Sequence, residues 1–225
     1  MKKLLLLTAL IVFAPALASA QDDTPEVEVF GGYSYLRADE DLVGVSDDEQ
    51  NLHGWNGSIA YNLNDWFGLE ADFSGHYGDE RTTRVITPAF EPLPGFPTVG
   101  FDIDAASRQH TFLFGPKLTA RGDRVSGFGH VLVGGANIHR EIVSTPVTPV
   151  PPGINPLSFE DSETSFAMAA GGGLDIHVTD NVSIRAIQAD YLMTRYDEGR
   201  TFTSSADSQH NMRLSFGVVF RFGNR

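Results

Sequence analysis

The stretch that most constrains this chain is the one that ends it. From Asn211 to Phe222 every even position is large and apolar: Met212, Leu214, Phe216, Val218, Phe220 and Phe222. The odd positions Asn211, Arg213, Ser215, Gly217 and Arg221 are polar or small, and Val219 is the exception. A period of two means an extended strand with one oily face and one wet face. The oily face ends in two phenylalanines, and the sequence stops three residues later. Such a strand needs either a protein core to cover its oily side or lipid to meet it.

The N-terminus sets the compartment. Lys2 and Lys3 precede an apolar run from Leu4 to Phe13 that is too short to span a bilayer as a helix. Ala18-Ser19-Ala20 has the form of a cleavage site, so residues 1–20 are expected to be a signal peptide and residues 21–225 a single mature domain. There is no cysteine, which removes disulfides, thiolate metal sites and a lipid-modified N-terminal cysteine. The formal charge is −13, and losing Lys2 and Lys3 with the leader makes the mature chain −15. So acidic a chain is not expected to bind nucleic acid, whose phosphates need a basic surface. It would repel anionic lipid or meet it through divalent cations.

Short alternating segments recur along the whole mature chain, and helical periodicity is absent. The first runs from about Glu26 to Arg37, with Val27, Val29, Gly31, Tyr33 and Tyr35 opposite Glu28, Gly32 and Ser34, and with Phe30 out of step. Further strands are expected near 51–63, 66–77, 108–119, 125–140, 164–178 and 182–196, before the last one. In the third, Phe67, Leu69, Ala71 and Phe73 alternate sharply with Gly68, Glu70, Asp72 and Ser74. The two faces of the fifth are poorly resolved. In the seventh, Arg185 and Asp190 differ in parity, so both can face inward only if a β-bulge lies between them.

The connections alternate in length. Asn64-Asp65, Gly122-Asp123 and Thr179-Asp180-Asn181 are tight-turn sequences. Between them lie an acidic segment at 38–50, Pro-rich segments at 78–105 and 141–163, and a polar segment at 197–208. A soluble sandwich has no reason to sort its loops by parity, whereas an outer-membrane barrel has short periplasmic turns and long outer loops. The expected fold is therefore all-β: an eight-stranded antiparallel up-and-down transmembrane β-barrel. Hydrocarbon offers no hydrogen-bond partners, and a closed sheet leaves no backbone group unpaired. Aromatics near strand ends, among them Tyr33, Trp55, Trp66 and Tyr77, fit the interfacial girdles of such a barrel.

The eight-strand plan, the turn parity, Thr111-Phe112-Leu113-Phe114-Gly115-Pro116-Lys117, Asp190-Tyr191 and the terminal strand together resemble the OmpA-type outer-membrane β-barrel domain. The resemblance covers the mature chain and implies residence in the cell outer membrane. It implies contact with outer-membrane lipid and lipopolysaccharide, insertion by the barrel-assembly machinery through the C-terminal strand, and a monomer. Larger relatives carry a C-terminal peptidoglycan-binding domain. None follows here, so tethering to the cell wall is not expected.

If the oily faces meet lipid, the other faces fill the lumen. The lumen candidates are Glu28, Glu70, Asp72, Lys117, Asp175, His177, Arg185, Asp190, Arg213 and Arg221. An eight-stranded barrel is just wide enough for side chains to fill it, and buried charges of opposite sign should pair. An ionic plug is the favoured expectation, with a small ion-permeable porin as one alternative. A lipid A-modifying enzyme is the other. A deacylase needs a serine activated by histidine. Ser208 and His210 share a face, but their order is reversed from the His-x-Ser of that family, and His210 should look outward. No catalytic residue, metal ligand or cofactor is assigned. The seven histidines show no ligand spacing. The long loops, with Phe90, Phe96, Phe101 and Phe159, remain as binding surfaces.

Overall fold

The computed structural model describes residues 24–38, 50–86, 99–146, 157–195 and 208–224. The expected signal peptide, residues 39–49 of the acidic segment, the cores of both Pro-rich segments and residues 196–207 lie outside these.

Eight strands form one closed barrel, each paired antiparallel to the next. They are β1 (Pro25–Ala38), β2 (Gln50–Asn62), β3 (Phe67–Ile86), β4 (Val99–Ala120), β5 (Val125–Pro146), β6 (Leu157–Thr179), β7 (Val182–Arg195) and β8 (Ser208–Asn224). The alternation in sequence becomes alternation across the wall. Phe216, Phe220, Phe112, Phe114, Leu69 and Ile59 face out and are about half exposed. Their chain neighbours Ser215, Val219, Leu113, Glu70 and Ser58 are buried inside. Phe30 and Val219, the two residues out of step, are inward-facing apolar side chains.

The barrel closes by pairing of β1 with β8, Tyr33 opposite Phe216 and Val29 opposite Phe220. Gly32 and Gly217 face each other at this seam. A Cβ on Gly32 would stand 2.1 Å from the Phe216 carbonyl oxygen, and one on Gly217 2.3 Å from that of Gly31. The two strands come this close only without side chains there.

Local chemistry sets the turns. Asn64 Oδ1 accepts from the backbone N–H of Trp66 and Phe67 at 3.1 and 2.8 Å, and Leu63 N–H donates to the Phe67 carbonyl at 2.9 Å. A side-chain oxygen thus substitutes for a backbone acceptor in the β2–β3 turn. In β7 the register against β8 shifts between Arg185 and Gln188, and against β6 beside Asp175. Ala186 and Ile187 both face outward, so Arg185, Gln188 and Asp190 all turn in. The bulge stands where the parity conflict required it.

The central strands are longer than the sequence suggested. β3 and β4 stay paired from Phe67 opposite Leu118 up to Ile86 opposite Val99, and β5 pairs with β6 as far as Ser144 opposite Leu157. Residues 78–86 and 99–107, expected to be loop, are strand; so are 141–146 and 157–163. The reason is solvent. Beyond the membrane both faces of a ladder meet water, so the sequence loses the alternation that marks a half-buried strand, while the backbone bonds persist. β3 to β6 therefore rise as a four-stranded wall above the rim.

Candidate functional site

The bulge in β7 and the inward parity of the other strands converge charged side chains inside the barrel. Arg213, on β8, is the centre: fully buried, it donates from Nε and Nη2 to Asp190 Oδ2 at 3.0 and 2.7 Å, and from Nη1 to Asp72 Oδ1 at 2.7 Å. Asn56 Nδ2 donates to the other oxygen of Asp72 at 2.8 Å. Gln188 Nε2 donates to Asp190 at 2.7 Å and its Oε1 accepts from Arg185 Nη1 at 2.8 Å. Arg185 grips Asp175 with two bonds, 2.8 and 3.1 Å, in the forked geometry that suits guanidinium and carboxylate. Its planar head lies between two rings, with its centre 4.2 Å from those of Phe30 and Phe128.

His130 links two parts of this network. Its Nδ1 is 2.7 Å from Glu70 Oε2 and its Nε2 is 2.9 Å from Asp190 Oδ1. Ser58 donates to Glu70 at 2.7 Å. One connected set thus spans β2, β3, β5, β6, β7 and β8. A second, nearer the short turns, holds Glu28 between Lys117 Nζ and Arg121 Nη1, each at 2.8 Å. Lys117 Nζ also lies 4.8 Å from the Phe128 ring centre.

Of the sequence-derived lumen residues, Glu28, Glu70, Asp72, Lys117, Asp175, Arg185, Asp190 and Arg213 are buried and hydrogen-bonded in these two sets. His177 and Arg221 are half-buried at the short-turn end. His177 sits between Ser126 and Ser183, 2.8 Å from each hydroxyl. Arg221 Nη2 donates to the Thr179 carbonyl at 2.6 Å, so its head serves a turn backbone rather than the central carboxylates.

Sequence reading missed His130, Arg121, Asn56, Ser58 and Gln188. It also missed a second layer. Toward the long-loop end the lumen holds a cluster of Leu36, Leu52, Leu113, Leu132 and Leu192, with Ala136, Ala167 and Ala169, all essentially without exposure, beside buried polar side chains that include Ser34, His76 and Gln109. The shared parity of Val125, Val131 and Val133 was the available signal for His130, since it turns the even residues of β5 inward. The inward leucines carry no such signal, because oil on the lumen side looks like noise in an alternating pattern.

Ser208 and His210, weighed above as an enzymatic pair, both lie on β8, and His210 faces outward. The His210 ring stacks on Tyr191, centroids 5.7 Å apart at 20°, and its Nδ1 is bonded to the Tyr191 hydroxyl. Phe159 on β6 is exposed, Phe101 falls in β4, and Phe90 and Phe96 lie outside the described residues.

The sequence profile of the outer membrane protein beta-barrel domain matches residues 4–222. The chain belongs to that family. Its place is the outer membrane, where lipid meets the outward faces. No curated protein sequence matches the chain. Among solved structures it is similar to Ail, the attachment invasion locus protein of Yersinia pestis, at 20% identity and TM-score 0.52, covering 88% of this chain and 99% of that one. Neisserial surface protein A matches at 14% identity and TM-score 0.47, covering 88% and 97%. The N-terminal barrel domain of Pseudomonas aeruginosa OprF matches at 15% and 0.35, covering 88% and 98%. At such identities the likeness to Ail is one of fold.

Proposed function

We propose that this member of the outer membrane β-barrel family is a non-enzymatic structural protein with a sealed lumen, whose binding is done on its outer surface. The observation that carries this reading is the filled interior. An ionic layer and a leucine-rich layer of buried side chains are stacked along the axis, and an eight-stranded barrel is just wide enough for its side chains to fill it. Opposite charges are paired and hydrogen-bonded, so the network holds strands together rather than presenting free charge to a pore.

What remains accessible is the wall of β3 to β6. Among the described residues, β3 beyond Tyr77 has no ladder partner on β2, and β6 before Phe166 has none on β7. Among the described residues both margins of the wall carry no ladder partner there, and a strand edge of that kind is able to template a further strand from another protein. Along the β6 margin Ser158, Phe159, Glu160, Asp161 and Ser162 are exposed. Lipopolysaccharide is the proposed lipid partner at the level of the rim, and the assembly machinery is proposed to engage β8, the strand that closes the barrel.

Planar bilayers holding the purified barrel test the sealed lumen. They should stay silent, and discrete conductance steps would restore the porin alternative. Mass spectrometry of lipid A from a deletion strain tests the absence of an enzyme. Unchanged acylation is expected, and an altered pattern would sink the structural reading.

A further inference from the structure

The outward face of the barrel is uncharged along the whole apolar band. Going up each strand toward the long loops, the first charged or imidazole-bearing residue on that face is basic on six of the eight strands. These residues are Arg37 on β1, His53 on β2 and His110 on β4, then His139 on β5, Arg195 on β7 and His210 on β8. Arg108 follows His110 on β4. At the other end the same face closes on Val27, Tyr61, Leu118, Val125, Val178 and Phe222, with no Arg, Lys or His at an outward-facing strand position among the described residues. In a chain with 29 acids against 16 Lys and Arg, so one-sided a placement is not a by-product of composition.

Part of this belt is one continuous row. Strand register sets Tyr35 beside His53, His53 beside Tyr77, Tyr77 beside Arg108, and Arg108 beside His139, one rung crossing five strands. Arg108 and His139 stand directly opposite each other, so an anion seated between them would meet hydrogen-bond donors from two strands. Snorkelling to water would account for a scattered arginine at the rim, but not for a rung.

Tyrosines prepare the imidazoles. The hydroxyl of Tyr33 is bonded to His53 Nδ1, that of Tyr77 to His110 Nε2 at 3.2 Å, and that of Tyr191 to His210 Nδ1. Where the hydroxyl donates, the other ring nitrogen carries the N–H and offers it outward as a donor. Above the rung on the same face stand acids: Asp79 beyond Tyr77, Asp104 beyond Arg108 and Glu141 beyond His139. The order outward is oil, then basic donors, then carboxylates. It matches an amphiphile whose phosphates lie just above its acyl chains, with the acids keeping those phosphates from rising.

We propose that this belt of arginine, histidine and tyrosine is a binding surface for the phosphorylated headgroup of a lipid in the outer leaflet. The proposal rests on the lipopolysaccharide contact proposed above and names its residues. Guanidinium suits phosphate oxygens in bidentate geometry, and a basic rim at headgroup level is how membrane proteins select anionic lipid.

The test uses the full mature chain in phosphatidylcholine nanodiscs doped with bisphosphorylated lipid A or with lipid A stripped of its phosphates. Lipid retained through detergent extraction is counted by native mass spectrometry. Wild type should retain the phosphorylated form and release the stripped one. R37Q/R108Q/R195Q should lower retention by about tenfold or more, tenfold being the scale for losing a single charge-assisted hydrogen bond to phosphate. R37K/R108K/R195K should keep most of it, and Y77F/Y191F should give a smaller decrease in the same direction. A band whose migration still depends on boiling shows that each variant remains a barrel. If wild type retains no lipid A, the lipopolysaccharide contact itself fails. If wild type retains it and the glutamine variant retains as much, the belt is overturned and that contact stands. Equal retention of stripped lipid A would also overturn the belt, as would release of the phosphorylated form by inorganic phosphate at matched concentration, which would mark a site for free phosphate rather than for a lipid headgroup.

Discussion

The two halves of the lumen are filled by opposite chemistry on the same backbone. Toward the short turns the inward side chains are Glu70, Asp72, Asp175, Arg185, Asp190 and Arg213, joined through His130 and Gln188. Toward the long loops they are Leu36, Leu52, Leu113, Leu132 and Leu192, set among polar side chains such as Ser34, Ser74, His76, Gln109 and Thr111, with no carboxylate or guanidinium in the cluster. The ionic half is directional, because each bond requires one partner at one register. The leucine half is not directional and gains from volume alone. A one-residue slip of any strand would break the first outright, whereas leucines can re-pack around small changes. The ionic half therefore specifies the barrel's register, and the leucine half keeps water from that network.

The largest blow to this comparison is aimed at its centre. Arg213→Glu removes the donor to Asp72 and Asp190 and adds a third carboxylate. It should cost about 3–5 kcal/mol or more, the scale for breaking a buried pair. The readout is the urea midpoint of the barrel in lipid vesicles. The contrasting variant, Arg213→Met with Asp72→Asn and Asp190→Asn, removes the charges together and should recover much of that stability. If it is as unstable as Arg213→Glu, the network is not ionic in its energetics.

Next comes the leucine half. Leu132→Ala leaves a cavity in the lumen and should cost about 2–4 kcal/mol by the same midpoint. A destabilisation equal to that of Arg213→Glu would mean that the two halves are not distinct in kind. Phe30→Leu tests the border, removing one of the rings that sandwich Arg185 while keeping an apolar side chain. The expected cost is about 1 kcal/mol, and it should vanish when Arg185 is replaced by Met. The smallest effect belongs outside. Leu214→Val trims a lipid-facing side chain one residue from Arg213 and should change stability by about 0.5 kcal/mol or less. If Arg213→Glu and Leu214→Val were equal, the interior network would be refuted.

The wall above the rim gives a further check, because the chain has no cysteine of its own. Phe159→Cys should react with a membrane-impermeant maleimide on intact cells. Ser183→Cys, buried at the far end of the lumen, should not.

How far the sequence could be read follows the same physics. Strands β1, β2, β7 and β8 were visible close to their true ends, because one face meets lipid and the other does not. The bulge was visible because Arg185 and Asp190 could not share a face without it. The upper parts of β3 to β6 were not, since in water neither face selects oil. His130 was hidden by the glycines around it, which blur the two faces of β5. The basic belt was hidden by net charge, which averages over faces that only the closed barrel separates.

Sequence alone determined the period of two, the parity of the turns and the sign of each buried charge. Those are properties of neighbours along the chain, and they suffice for an eight-stranded barrel. Only the tertiary structure decided which carboxylate meets which guanidinium, that leucines cap the ionic layer, and that Tyr35, His53, Tyr77, Arg108 and His139 form one rung. These depend on the register between strands far apart in sequence. Closing the sheet sets all the registers at once, so no single strand carries them in its own residues.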